Sequence, residues 1–513
     1  MEEFHRISKL ILKMKKTLDV FTAILIAIGL IVFLIFLGTK ANLSFDASYN
    51  LLSYQSLFEG KGFVYDYDGK HVPFDPVIST GPELYLPVFV IWKIIGHTDY
   101  YISIYVLIAY YATFLGFLLF HTLKTSKTKT ISMLTFIFLF LSNKKIFENY
   151  LVVIPLGELV VCFFIFAGIY FLSKRKLLLG FALLGLAIDV KTSIIIAIIP
   201  TIIIFLLFEF IIPKIKERNL KEAFKITLTP AMLSFLIFVP YLAYSKIIPS
   251  IVLNPQEKKI LKIAQKERFQ FIKDRGFGQI LVLKKNFNKE GFVQFVSQIQ
   301  KKIIVLKSWL NESYLLLVLF GILFIALTLF SYYQKHFSFY IFIFSIFMVI
   351  WWLFGSTDDW YRYFFLTEWT FSLGIVALIP TLLKKENMVT SVCISLAVIM
   401  LFVPQFSLSA IKKNLDETDK NNLIMMKNYI QDIDEQNIFV YGWFQCPQLM
   451  LLTNKRFQDY TNKEKLLKSK QKGREIFLLT TIENTIIKEE MEEVTKNFEL
   501  IKAYEPNRLY KIR

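Results

Sequence analysis

Acids and cations held beside apolar runs can move protons, hold anions or bind a metal ion, and only 19% of the 513 residues are charged, so each such position is informative. Asp46 follows the first apolar run. Glu148 and Glu158 flank the start of another, Asp189 and Lys191 lie at the turn between two more, and Asp358, Asp359, Arg362 and Glu368 surround the start of a later one. Glu158 stands out, because the run VVIPLGELVVCFF would carry it about nine residues, or roughly 12 Å, below the membrane surface. A carboxylate at that depth costs several kcal/mol unless it faces a wet cavity, a cation or a metal ion. Its plainest partner would be Lys144 or Lys145. Asp46 taken alone reads as the cap of a helix beginning ASYNLLSYQSLF, and Lys191 and Arg362 taken alone read as snorkelling anchors.

The elements that must position these residues are membrane spans. Hydrophobic residues make up 55% of the chain, 52 of them Phe, and the mean hydropathy is +0.49. An ordinary cytosolic enzyme is excluded. The apolar residues gather into runs near 18–37, 101–121, 128–142, 150–172, 177–190, 192–212, 226–247, 314–332, 337–355, 363–383 and 389–408, about eleven spans of the length a helix needs to cross ~30 Å of hydrocarbon. The first run is too long for a signal peptide and lacks a small-residue cleavage pattern, so it is expected to remain as an anchor. With the N-terminus in the cytoplasm, each short inner loop carries Lys or Arg, as Lys174–Lys176 and Lys335 do. The net charge of +18 therefore fits orientation and anionic lipid rather than nucleic acid. Cys162, Cys393 and Cys446 are too few and too scattered for a disulfide framework.

This parity expects residues 1–410 to form a transmembrane domain with large outer loops at 39–100 and 248–313. The first loop is acidic and rich in turn formers. The second alternates Lys and Arg with apolar residues, as amphipathic segments on a membrane do. Between 177 and 212 the chain must cross twice in too few residues, so the turn at Asp189–Thr192 is expected below the outer surface, where its charges need a partner or water. Composition changes near Ile411, and 411–513 is expected to form a soluble outer α/β domain, with strands in NIFVYGWF, REIFLLTT and LYKIR and helices over Thr461–Lys468 and Glu483–Asn497.

Four segments share an order with a known family: FDASY followed by HVPFDPVISTGPELYLP, LGE at 156–158, LGLAIDVKTS at 184–193, and WYRYFF at 360–365. Together they resemble the glycosyltransferase C (GT-C) superfamily, in particular bacterial members of family 39, relatives of protein O-mannosyltransferases and of the lipid A aminoarabinose transferase. Many relatives have Asp-Glu in the first loop where this chain has Asp46-Ala47, which leaves Glu158 or Glu148 as the second acid.

The resemblance implies inverting transfer of a monosaccharide from a polyprenyl-phosphate sugar to a lipid, glycan or protein acceptor on the outer side of a bacterial inner membrane. An acceptor hydroxyl then needs a base, for which Asp46 is the candidate. The departing lipid phosphate needs cations set in place beforehand, for which Lys191 and Arg362 are the candidates. Glu158 would orient the base or the sugar, or bind a divalent cation together with Asp46; no metal is expected to be required. His71, in GKHVPFDP, and Tyr85, in GPELYLP, are candidate sugar or phosphate contacts, against plainer roles as a loop histidine and an interfacial aromatic. Two other classes remain open. A transporter or flippase of lipid-linked glycans is disfavoured by the absence of internal repeats. A ligase or polymerase of such glycans is disfavoured by an acidic loop that comes first in the chain. Trp351-Trp352 is followed by Leu353, so the Trp-Trp-Asp signature of oligosaccharyltransferases is missing.

Overall fold

Apolar runs that are shielded from water must satisfy their own backbone groups, and here they do so as helices. The computed structural model describes residues 2–41, 43–68, 70–73, 75, 81–124, 126–142, 154–216, 220–275, 289–309, 314–354, 361–383, 412, 415–441, 446–481 and 492–512. Among these, Phe4–Lys40, Tyr101–Thr122, Thr192–Ile215, Lys225–Val252 and Phe364–Leu382 are helical stretches long and apolar enough to cross a membrane. Shorter apolar helices are Thr128–Leu141, Glu158–Ser173, Leu177–Val190, Val318–Tyr333 and Ser338–Phe354. These correspond to the expected runs in order. The last, 389–408, lies outside the described residues.

One boundary differs in a way that matters. The run expected to be helical from residue 150 has a turn at Ile154–Gly157, and its described helix begins at Glu158. Pro155 cannot donate a backbone hydrogen bond, and Gly157 takes a left-handed φ of +85° that other residues rarely adopt. Glu158 is therefore the first residue of a helix rather than a residue well inside one.

The helices Glu158–Ser173 and Leu177–Val190 form a hairpin packed at glycine. A Cβ on Gly180 would lie 2.6 Å from Leu172, and one on Gly168 would lie 2.9 Å from Leu184. Small residues at such a crossing let the backbones approach. The second helix has only 14 residues, about 21 Å at ~1.5 Å each, which is shorter than ~30 Å of hydrocarbon. Phenylalanine fills the space around the hairpin, with Phe114 and Phe163 stacked at 3.9 Å.

Residues 39–100 fold into the helix Phe45–Phe58, a hairpin of β1 (Val64–Tyr67) and β2 (Lys70–Pro73), and the helix Pro82–Ile95. Near the C-terminus, β3 (Ile438–Tyr441), β4 (Gln458–Asp459), β5 (Ile476–Thr481), β6 (Glu499–Tyr504) and β7 (Asn507–Ile512) form a sheet of order β4-β3-β5-β7-β6. β3 pairs in parallel with β4 and β5, and β7 is antiparallel to β5 and β6. Side chains alternate across this sheet. Leu479 and Val440 join the buried cluster that continues into the helices, whereas Leu478 and Phe439 pack on the opposite face. The expected strands are β3, β5 and β7; β4 and β6 and the helices Thr418–Ile430 and Cys446–Thr453 are additions. A helix is present at Lys463–Gln471, close to its expected place. The one expected over Glu483–Asn497 lies mostly outside the described residues.

The tip of the first hairpin holds this sheet. Asp68 accepts from the Asp459 backbone N–H at 3.2 Å and from Asn462 at 3.2 Å, and it pairs with Lys465 at 3.3 Å. Residues 248–313 include the helices Pro255–Arg275 and Lys289–Trp309. Gln265 on the first donates to Asp75 at 3.1 Å. Lys302 on the second is buried and donates to the Trp352 and Leu353 carbonyls at 2.7 and 3.3 Å. A cation at the end of the helix Ser338–Phe354 meets the negative end of its dipole, so this segment also packs into the bundle.

Candidate active site

Asp46 lies in the first turn of the helix Phe45–Phe58. The cap is Ser44, whose hydroxyl accepts from the Ala47 N–H at 3.2 Å, so capping does not account for Asp46. Asn50 donates to the Asp46 carbonyl at 2.7 Å and fixes this turn. Tyr85, from the helix Pro82–Ile95, stacks on Tyr54 with ring centroids 5.8 Å apart. Its hydroxyl donates to the Pro155 carbonyl at 2.5 Å, which ties that helix to the turn leading into Glu158. Burial raises the Tyr85 phenol well above its usual range, and Tyr100, Asp46 and Glu158 push the same way. Tyr85 thus stays neutral, fully buried and within electrostatic reach of Asp46 and Glu158, as a strut rather than an exposed ring.

Glu158 is 3% exposed, and Lys191 Nζ lies 3.1 Å from its Oε1. The two residues are nearly equidistant from the turn at Lys174–Lys176, so antiparallel packing of the hairpin brings them to one level. Lys191 is the described cation paired with this carboxylate; Lys144 and Lys145 lie outside the described residues. A carboxylate opening a helix is also favoured by the helix dipole.

A pair of acids, Glu83 and Asp189, lies next to this ion pair. Gly81 approaches the end of the hairpin so closely that a Cβ there would lie 2.5 Å from the Asp189 carbonyl oxygen and 2.7 Å from Glu83 Oε2. Its N–H points to the Val190 carbonyl at 3.4 Å, and Tyr110 donates to the Glu83 carbonyl at 2.6 Å. The Glu83 carboxyl is pushed up to about 9, first by burial and then by the Asp189 carboxylate against it. Two like charges cannot both persist there, so the pair holds one proton between them. Glu83 Oε2 and Asp189 Oδ1 are buried with no donor among the described residues, an environment that such a proton relieves. Both acids act on the Tyr54 phenol, which is in hydrogen-bonding reach of Tyr244. Sequence reading placed Glu83 and Asp189 on the same side without joining them. The nearest signal was the short run before the turn at Asp189–Thr192, whose charges were expected to need partners.

Of the sequence candidates, Glu158 and Lys191 pair directly, and Tyr85 lies within electrostatic reach of both Asp46 and Glu158. His71 occupies β2 opposite Asp66, and its side chain lies outside the described residues. Arg362 is the second residue of the helix Tyr361–Leu382; its side chain is likewise outside them, as are Glu148, Asp358 and Asp359. Glu368, one turn or more further along that helix, is buried. No group of three or more potential metal-ligating residues occurs among the described residues. A cavity of about 590 Å³ opens between Gln55, Trp92 and the helix Thr418–Ile430, and none of the site residues lines it.

The bundle of apolar helices, the two helices and hairpin of the first loop and the terminal sheet together make a GT-C type membrane fold. The solved structures it resembles include ArnT, an aminoarabinose transferase, from Cupriavidus metallidurans. With ArnT bound to undecaprenyl phosphate the TM-score is 0.53 at 9% identity, over 95% of this chain and 97% of that one. With the apo state it is 0.55 at 8% identity, over the same shares. No protein-family model matches the chain, and no curated protein matches it by sequence.

Proposed function

We propose that the protein is a membrane glycosyltransferase that moves a monosaccharide from a polyprenyl-phosphate sugar to an acceptor hydroxyl, with inversion at the anomeric carbon. The observation that carries this reading is the buried Glu158–Lys191 ion pair, joined through Tyr85 and Tyr54 to the helix that carries Asp46 in its first turn, at one end of a GT-C type bundle. That a neighbour of the same fold was solved with undecaprenyl phosphate supports a lipid-phosphate donor.

The acceptor oxygen bonds to the anomeric carbon as the bond from that carbon to the phosphate oxygen breaks, and the electron pair leaves with the phosphate. Asp46 takes the acceptor proton, a role worth about 10²–10⁴ in rate. Lys191 meets the charge developing on the phosphate. Its bond to Glu158 holds the ammonium in place beforehand, so little reorganisation is needed during the reaction. Arg362 joins it on this reading, since Pro380 and Thr381 of its helix line the opposite, basic end of the bundle and its own position is therefore at the Lys191 end. His71 is a further candidate contact to sugar or phosphate. A divalent cation is an optional addition rather than a requirement, because the Glu158 carboxylate already has an ammonium beside it. The charge bias of the short loops supports an N-terminus in the cytoplasm and a site and terminal sheet on the outer face of a bacterial inner membrane. The acceptor class, whether lipid, glycan or protein, is a matter of pocket shape.

The test is release of hexose from undecaprenyl-phosphate hexose by the purified protein in liposomes, with and without chelator. Turnover that collapses in Asp46→Asn supports the transferase and its base. No turnover over a broad donor panel, or full activity in Asp46→Asn, overturns the assignment.

A further inference from the structure

At the end of the bundle remote from Glu158, several turns enclose a cavity of about 1000 Å³. Cations enter it from three of them: Lys124 follows the helical segment ending at Thr122, Lys174 and Arg175 form the hairpin turn, and Lys335 and His336 precede the helix Ser338–Phe354. Arg175 is compensated, with its Nη2 2.8 Å from Glu209 Oε2, while Tyr340 donates to the other Glu209 oxygen at 2.8 Å. Lys124 and Lys174 have no such carboxylate partner among the described residues. Both line the cavity, close enough for each ammonium to act on the other.

Burial lowers the Lys174 ammonium below its ordinary range, and Lys124 beside it adds to the effect. His336 is pushed down to about 4 by burial and then by Lys124 and Lys174. Ser338 engages its Nδ1, through the hydroxyl at 2.9 Å and the backbone N at 3.3 Å, which leaves Nε2 for another group. Two ammonium groups this close repel unless an anion lies between them, and a phosphate oxygen is the ligand that lysine meets as a point charge. The cavity also has an apolar side. Tyr332 is 43% and Tyr333 76% exposed on its rim, where acyl chains would run. Basic pockets between spans on the cytoplasmic side suit anionic headgroups, and the loop-charge bias assigns this end to the cytoplasm.

We propose that this cavity is a phosphate-binding site in which Lys124 and Lys174 hold the phosphate oxygens, the exposed tyrosine rim favouring a phosphate carried on a lipid. It is independent of the transfer chemistry at the other end.

The full-length protein, delipidated in a neutral detergent, is to be titrated with phosphatidylglycerol, phosphatidylcholine or inorganic phosphate while its melting temperature and lipid adducts in native mass spectrometry are followed. Phosphatidylglycerol should raise the melting temperature and be retained in preference to phosphatidylcholine. Lys124→Gln/Lys174→Gln should weaken that preference about tenfold or more, whereas Lys124→Arg/Lys174→Arg and a Lys13→Gln/Lys16→Gln control keep it. The double glutamine variant should fold, since it removes a repulsion. Equal protection by inorganic phosphate, lost in the glutamine variant, would support the phosphate site and assign its source to a soluble anion. The proposal is overturned if the two lipids act alike and phosphate does nothing on wild type, or if the glutamine variant retains the full effect.

Discussion

The helical hairpin Glu158–Val190 has two ends that handle charge in opposite ways. At one end Glu158 meets Lys191, and the neighbouring acids Glu83 and Asp189 share a proton. At the other, Lys174 faces Lys124, with Lys335 and His336 beside them and no carboxylate on either lysine among the described residues. The difference teaches what each end is prepared for. A buried end must neutralise its charges within the protein, since a desolvated ion without a partner is expensive. An end open to lipid and water can leave cations in excess and take an anion from outside.

The contrast can be broken most severely at Asp46. Asp46→Asn keeps the size of the side chain and removes the base, and donor turnover should fall by about 10²–10⁴ with little change in melting temperature. An equal loss of stability would instead mark Asp46 as structural. Next is the ion pair. Lys191→Met should lower turnover by roughly 10²–10³, the loss expected for a group that stabilises developing charge, and it should cost about 3–5 kcal/mol by stripping a cation from a buried carboxylate. Adding Glu158→Gln should restore much of the stability but not the turnover. A double variant as unstable as Lys191→Met would show that the two do not act as a pair.

The proton shared by Glu83 and Asp189 makes a smaller, pH-dependent prediction. The Glu83 pKa is raised on folding, so the folded state binds the extra proton. Its contribution to stability is complete below the unfolded value of 4.5 and is lost as pH rises towards about 9, at a slope of at most ~1.4 kcal/mol per pH unit for one proton. Glu83→Gln, whose amide can donate to Asp189 at every pH, should flatten that decline in thermal melts between pH 5 and 9. A slope equal to that of wild type would place the shared proton elsewhere. Smallest is the effect at the basic end without added lipid, where Lys124→Gln should leave turnover unchanged and raise the melting temperature slightly by relieving Lys174.

Much of this arrangement was legible in the residues themselves. Apolar runs of span length and the basic short loops depend on local composition and follow from what a helix in hydrocarbon requires; the ordered segments FDASY, LGE, DVKTS and RYFF were legible only through their resemblance to a known family. The shortness of the helix ending near Asp189 could be read as well. Periodicity marked β3, β5 and β7 but not β4, which has two residues and too little pattern to register, nor β6, whose Glu499, Lys502 and exposed Leu500 blur the alternation.

The sequence by itself thus determined the kind of molecule, the order of its spans and the side chains available for chemistry. Only tertiary structure decided their partners. Lys191 is the described cation found at Glu158, because glycine contacts close the hairpin. Glu83 meets Asp189 because Gly81 leaves room for the first loop to fold back on the turn. Lys302 enters the bundle, and Lys124 reaches Lys174 from a different pair of helices. Burial and pairing arise between segments far apart in the chain, where spacing along the sequence does not set distance in space until the packing is known.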